Sequence, residues 1–185
     1  MERPWHAQYE AGIPPTLSYP DVPLHRFLVD SARRFPDRAA LEFYGRRIPY
    51  RELDDLTDRF AQALIRLGVR KGDRVAMLLP NCPQAVISYF GALKAGACVV
   101  QTNPLYVGPE IAHQVTDSGA ETIVALDQFY PRIKEVQERT PLKRIILTNV
   151  RDYLPWLKRL LYPIKARRQG QWIEVERVPP IYDFP

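Results

Sequence analysis

The chain has 185 residues, of which 46% are hydrophobic and 25% charged, and its net charge is +5. That is the balance of an ordinary globular protein, long enough to hide about 70% of its unfolded surface in a core. Two cysteines, Cys82 and Cys98, exclude a disulfide framework or a cysteine-rich zinc site. Both sit among apolar residues and are expected to be small buried hydrophobes in a reducing compartment. No apolar run follows Met1-Glu2-Arg3-Pro4-Trp5-His6, so no secretory signal is visible. The most apolar stretch, Ala85 to Val100, contains Ser88, Lys94 and two glycines and is not a membrane span. A cytoplasmic location is the default expectation. The positive charge is uneven: Arg151, Lys158, Arg159, Lys165, Arg167 and Arg168 face the single acid Asp152 within one segment. The rest of the chain is close to neutral.

In chain order, residues 1–20 show no periodicity and read as an extended arm. Leu24, Phe27, Leu28, Ser31, Ala32 and Phe35 have the three-and-four spacing of one buried helix face. Pro36-Asp37 ends that helix. Ala39–Phe43 and Arg46–Tyr50 flank Tyr44-Gly45 as a hairpin. A second helix spans about Arg51–Leu67, with the stripe Leu53, Leu56, Phe60, Leu64 and Leu67 and Gly68 as its stop.

Strands and helices then alternate. Strands are expected at Arg74–Leu79, Ala97–Gln101, Glu121–Leu126 and Arg144–Thr148. Helices are expected at about Cys82–Ala95, with Asn81 as N-cap and Gln84 completing a capping box, at Gly108–Asp117, and at Phe129–Arg139. This order predicts an α/β fold, a mostly parallel sheet with helices on both faces and right-handed crossovers. Continuous apolar runs such as Val75-Ala76-Met77-Leu78-Leu79 suit strands covered on both sides. Residues 21–150 form the α/β unit, and 151–185 a basic, aromatic, proline-containing excursion. Pro155 and Pro163 argue against one long helix there.

Ligands bind open α/β sheets beyond the carboxyl ends of the strands. Those ends are Pro80-Asn81, Gln101-Thr102-Asn103-Pro104, Asp127-Gln128 and Thr148-Asn149. The second, a polar and proline-stiffened turn, is the strongest candidate for a substrate-side loop, against the reading that Asn103 satisfies its own backbone. Dinucleotide and P-loop fingerprints are absent. Gly68 to Asp73 reads as a connecting loop, because no helix start follows it to focus amides on an anion. Asp127 reads as a helix cap. His6, His25 and His113 fall in unrelated contexts, and no serine occupies a nucleophile elbow. No metal site is expected.

The segment Leu79 to Tyr106 reads LPNCPQAVISYFGALKAGACVVQTNPLY. It resembles the early core motifs of adenylate-forming enzymes, the superfamily of acyl-CoA synthetases, luciferases and peptide-synthetase adenylation domains. Leu93-Lys94-Ala95-Gly96-Ala97 through Asn103-Pro104-Leu105-Tyr106 is similar to the second core motif. Ile48-Pro49-Tyr50-Arg51-Glu52-Leu53 is similar to the first, with Pro49 where a Thr or Ser is usual. Gly72-Asp73-Arg74-Val75-Ala76 resembles the usual entry to the next strand. The likeness covers roughly Leu24 to Asn149. Val99 to Tyr106, Asp152-Tyr153-Leu154-Pro155 and Leu160-Leu161-Tyr162-Pro163 resemble the long-chain fatty-acid ligases in particular.

The resemblance implies the N-terminal part of an AMP-forming acyl-CoA synthetase. Such an enzyme joins a fatty acid to CoA in two steps with ATP and Mg²⁺, through an acyl-adenylate. The family's phosphate loop, ribose-binding Asp and catalytic Lys have no counterpart in these residues. No catalytic or cofactor-binding residue is therefore expected here, and the chain alone is expected to bind no cofactor and to be inactive. A non-catalytic remnant, a split-enzyme subunit pairing with a second polypeptide, and an aryl-acid ligase are the alternatives. Trp156, Lys158, Arg159, Lys165, Arg167 and Arg168, interleaved with leucines, suit contact with an anionic membrane at the inner surface. The rival reading packs that segment on the rest of the enzyme. Nucleic acid is not an expected partner, since no recognition motif accompanies the basic segment.

Overall fold

The computed structural model describes residues 3–170, 172–176 and 178–185. After a short 3₁₀ turn at Pro4–Gln8, residues 9–24 carry no regular element and are exposed. Helix α1 (His25–Arg34) buries only Leu28 and Ala32. Phe27 is 52% exposed, so half of the predicted stripe faces outward. The reason is that α1 is the outermost helix and touches the body along one edge. Its terminal ring, Phe35, lies instead beneath the guanidinium groups of Arg34 and Arg38, at 5.3 and 5.0 Å.

Strands β1 (Ala39–Phe43) and β2 (Arg46–Pro49) form the predicted antiparallel hairpin. Tyr44 and Gly45 both have positive φ, 51° and 95°, as a two-residue type I′ turn demands. Helix α2 (Tyr50–Arg66) buries Leu53, Thr57, Phe60, Ala61 and Leu64 along one side.

The main sheet contains β3 (Arg74–Leu78), β4 (Cys98–Gln101), β5 (Thr122–Leu126), β6 (Arg144–Thr148) and β7 (Ile181–Asp183). Its order is β4-β3-β5-β6-β7, and every pair is parallel. Helices α3 (Pro83–Lys94), α4 (Gly108–Ser118) and α5 (Tyr130–Val136) supply crossovers. Successive strand residues enter opposite cores, the period-2 consequence of a pleated strand. Val75, Val124, Leu126 and Ile146 join α2 and α3 on one face. Ala76, Ile123, Ala125, Ile145 and Leu147 join α4 and α5 on the other. All five residues of β5 are buried, as expected of a strand covered on both faces.

Four sequence expectations need correction. The Asn81–Gln84 capping box does not form. Cys82 is the N-cap of α3 without a side-chain bond, and Gln84 turns into the core. Cys98 is exposed while Cys82 is buried, because Cys98 lies on the sheet's edge strand. The expected Phe129–Arg139 helix is α5 between two 3₁₀ turns, at Asp127–Phe129 and Gln137–Arg139. Beyond Thr148 the chain builds helix α6 (Trp156–Arg168), which runs through Pro163, and then β7. An interior proline removes one backbone hydrogen bond and costs about 3 kcal/mol, but Pro155 stands before the first turn, where no helical bond is lost.

Helices α2 and α3 meet at Gly91. A Cβ there would lie 2.7 Å from Phe60 Cδ1 and 2.9 Å from the Thr57 carbonyl oxygen. Gly91→Ala gains about 1 kcal/mol of helix propensity against about 1–3 kcal/mol of overpacking. The backbone oxygen cannot rotate away as a side chain would. We expect a net loss of about 1–2 kcal/mol, read as a lower urea midpoint with an unchanged slope. An unchanged or raised midpoint would contradict this account of the helix contact.

Candidate functional site

The first crossover runs from β3 to β4 on one side, and the next runs from β4 back past β3 to β5, so the winding of the sheet reverses between β3 and β5. Ligands of open α/β sheets bind outside the carboxyl ends of the strands at such a reversal. At the carboxyl ends of β5 and β6, polar residues from three elements come together. Gln84, fully buried in the first turn of α3, donates through Nε2 to the Asn149 carbonyl at 2.9 Å and to Thr148 Oγ1 at 3.3 Å. Asn149 Nδ2 donates to Asp127 Oδ2 at 2.6 Å, and Asn149 Oδ1 accepts from Arg151 N at 2.9 Å. Asp127 Oδ1 accepts from Gln128 N at 2.8 Å. Asp127 therefore ties the ends of β5 and β6 together through Asn149 and does not cap the long helix expected after it.

The predicted loop lies one strand away, at the sheet edge. Thr102 is buried, with Oγ1 3.4 Å from the Val100 carbonyl. Asn103 Oδ1 accepts from Leu105 N at 3.0 Å, the local turn that was the alternative reading. The Pro104 carbonyl accepts from Arg132 Nη1 at 3.1 Å. Asn103 is exposed to solvent, and Gln101 borders a groove of about 450 Å³ between the hairpin and α3. Leu41, Phe43, Val86 and Tyr89 make that groove largely apolar, with Glu42, Asn81 and Gln101 as its polar members. The Gly68–Asp73 loop lies at the opposite, amino-terminal end of β3, held by Gly72 N donating to the Gly96 carbonyl. His6, His25 and His113 remain on separate elements.

The basic segment is brought onto one helix. Trp156, Lys158, Arg159, Lys165 and Arg168 are exposed on α6, and Arg167 stacks on Trp172 at 5.3 Å. Leu157, Leu160, Leu161 and Ile164 are also exposed, while only Ala166 is buried. No helix of the described residues is long and apolar enough to cross a membrane. Between α6 and the hairpin tip lies a second groove of about 480 Å³. There burial pushes the Tyr162 phenol up, with the Asp127 carboxylate adding to the shift. Sequence reasoning named both Asp127 and Asn149 as strand ends, but had no signal for Gln84 crossing to them or for Tyr162 approaching Asp127.

Among the described residues no group of three or more His, Cys, Asp or Glu side chains could hold a metal ion. A five-stranded parallel sheet with this order and helices on both faces defines an α/β unit of the open-sheet kind. The AMP-binding enzyme profile matches residues 28–181, and the chain belongs to that family. It is similar to a long-chain-fatty-acid–CoA ligase of Bacillus subtilis (strain 168), 42% identical over 185 residues, which are 99% of this chain and 32% of that protein. Its fold is similar to the crystal structure of a long-chain-fatty-acid-CoA ligase from Archaeoglobus fulgidus, with a TM-score of 0.69 and 27% identity over 79% of this chain and 32% of that one. It is also similar to the anthranilate CoA ligase AuaEII in complex with anthranoyl-AMP, with a TM-score of 0.66 and 25% identity over 84% and 30%. The chain spans about a third of the length of the curated relatives it matches.

Two predictions follow from the geometry. Gln84→Leu leaves the Asn149 carbonyl and Thr148 hydroxyl without their donor, at a cost of about 1–3 kcal/mol. Combined with Thr148→Val, which removes the side-chain acceptor of Gln84, the loss should fall short of the sum by roughly 0.5 kcal/mol or more. Strict additivity in denaturant titrations would separate the two residues into unconnected contacts. Tyr153, 7% exposed, has its phenol pushed up to about 12 by burial, and the Arg46 charge opposes this more weakly. Above the ordinary tyrosine value the unfolded chain loses this proton while the fold keeps it, so stability falls as pH rises toward about 12. Tyr153→Phe should therefore lose less melting temperature than wild type between about pH 9 and about pH 11. Equal losses would mean the phenol is not desolvated.

Proposed function

We propose that this chain is a segment of an AMP-forming long-chain fatty-acid–CoA ligase, whose substrates are a fatty acid, ATP and CoA. The observation that carries the reading is the 42% identity running along 99% of the chain to a ligase of that description. The apolar groove beside Gln101 agrees with it, since it offers a hydrocarbon-compatible wall next to a polar strand end. Gln101, Thr102, Asn103 and Pro104 form the substrate-side loop in this reading, with Gln101 the member that lines the apolar groove. Among the described residues no group of three or more His, Cys, Asp or Glu side chains could hold a metal ion, and no step of the reaction is routed through them. In this reading nucleotide and Mg²⁺ are held outside these residues, in a longer chain or in a second polypeptide.

The same reading takes residues 1–20 as an arm, 21–150 as the α/β subdomain and 151–185 as the segment that carries a docking helix. It places the protein in the cytoplasm, with α6 in peripheral contact with the inner membrane surface and no role for nucleic acid. Five cations and no acid on α6, beside exposed Trp156 and leucines, support that contact.

The direct test is a chimaera in which this chain replaces the matching third of the Bacillus subtilis ligase. It should form acyl-CoA with palmitate and little with benzoate. A folded chimaera that prefers benzoate would favour the aryl-acid alternative, and a folded inactive one would favour a non-catalytic remnant. The 185-residue chain alone should release no pyrophosphate from ATP, Mg²⁺ and palmitate. Separately, it should bind anionic vesicles in low salt and release them as salt rises. Equal binding to neutral vesicles at every salt level would remove the membrane contact from this reading.

A further inference from the structure

We infer that the groove between the hairpin tip and α6 is a binding site for the headgroup of an anionic membrane phospholipid. This rests on the membrane contact proposed above and narrows it from a charged surface to a specific pocket.

Three observations carry the inference. The groove has an apolar floor, Val150, Leu154 and Leu161, beneath a rim that includes Lys158 and Lys165. None of its lining residues is acidic, and none of the ion pairs among the described residues uses either lysine. Two uncompensated cations above an apolar floor complement an amphiphile with one negative charge and a hydrocarbon tail. The Asp127 carboxylate, which raises the Tyr162 phenol, does not line the groove and accepts from Asn149 Nδ2 at 2.6 Å.

The second observation is the hairpin tip. Tyr44 holds a φ of 51°, a left-handed conformation that bulky residues rarely adopt. The turn keeps its ring 5.3 Å from Lys158 Nζ, while Lys158 donates to the Tyr44 carbonyl at 2.9 Å. The lysine is thus fixed over the groove from the far side and is not waving in solvent.

The third is continuity. Exposed Trp156, Leu157 and Leu160 lead away from the groove along the same helix. A lipid seated in the groove would therefore have the interfacial aromatic and apolar side chains of α6 beside it, in the plane where such residues rest. Tyr162 and Gln169 also line the groove and supply a hydroxyl and an amide that can donate to phosphate oxygens.

The test uses monomeric dihexanoyl-phosphatidylglycerol below its micelle concentration, so that the field of a bilayer plays no part. Binding to the 185-residue chain, followed by NMR shifts at Tyr44 and Tyr162, should be saturable. It should weaken tenfold or more with dihexanoyl-phosphatidylcholine. Lys165→Gln should weaken it at least tenfold, and Arg168→Gln, the same charge change outside the groove, less than twofold. Leu161→Lys is the sharper variant. It adds a cation, so a merely electrostatic surface binds more tightly, whereas a groove that needs its apolar floor loses its ligand. Leu160→Lys serves as its control on the open side of the helix. Melting curves should show all four variants folded, since the four side chains are exposed.

If the paired variants act alike, or if monomeric lipid fails to saturate while anionic vesicles still bind, the groove site is overturned and the general membrane contact stands. If vesicles do not bind either, both fail. If the chain binds the lipid but the active chimaera does not, the rest of the enzyme covers the groove, and the inference is overturned for the whole protein.

Discussion

The contact on which the rest of this structure depends is the one between Gly91 and Phe60. Two helices can approach until side chain meets backbone only where one of them has no Cβ, and here α3 supplies that position against α2. The rotation of the pair is then fixed by Lys94. Its ammonium sits between Asp54 and Asp58 at 2.6 and 2.7 Å, with only 8% of the side chain exposed. A half-buried ion triad of this kind adds little net stability, because desolvation offsets its attraction. Its effect is on orientation. Phe60 also stacks on Phe184, ring centres 4.9 Å apart, so the helix pair is tied to the residue that follows β7. The last strand is thereby joined to the first half of the chain.

With α3 seated in this way, its first turn points at the carboxyl ends of the strands. That is why Gln84 can cross to Thr148 and Asn149, and why the polar ends of β5 and β6 form one network instead of two separate caps. The same seating opens the apolar groove between α3 and the hairpin. These residues thus present polar strand ends at fixed spacing with an apolar surface next to them.

Much of this was legible from the sequence, for identifiable reasons. The alternation of apolar runs with glycine- and proline-bounded helices gave the parallel sheet, since covered strands must be continuously apolar. Tyr44-Gly45 gave the hairpin. Asn103 and Pro104 marked a stiff turn after a buried strand, and that turn is there. What could not be read depended on tertiary neighbours. Gln84 has the spacing of a capping box from Asn81, but the helix takes Cys82 as its N-cap, and the Gln84 amide N–H donates into the core to the Asn149 carbonyl. Cys98 sits in an apolar run, yet strand order places that run at an edge. Strand β7 has three residues after a proline pair, too short for any pattern. The choice among four strand ends required the sheet order, and sheet order is not written in local periodicity.

Helix α6 is the instructive case. Pro155 and Pro163 argued against it, and an interior proline does carry a cost. The helix forms because proline at its entry costs nothing, and because Tyr162, Pro163 and Ala166 turn inward while Lys158 ties its first turn to the hairpin tip. Little else anchors it. A helix that buries one small residue and exposes a tryptophan, three leucines and an isoleucine does not gain its stability from this body alone. Its sequence makes sense only if those side chains are covered by something else. Of its five cations only Arg167 meets an acid, Glu174 at 3.7 Å, so the helix joins exposed apolar side chains to largely unopposed positive charge, the combination that the proposed anionic lipid contact would satisfy.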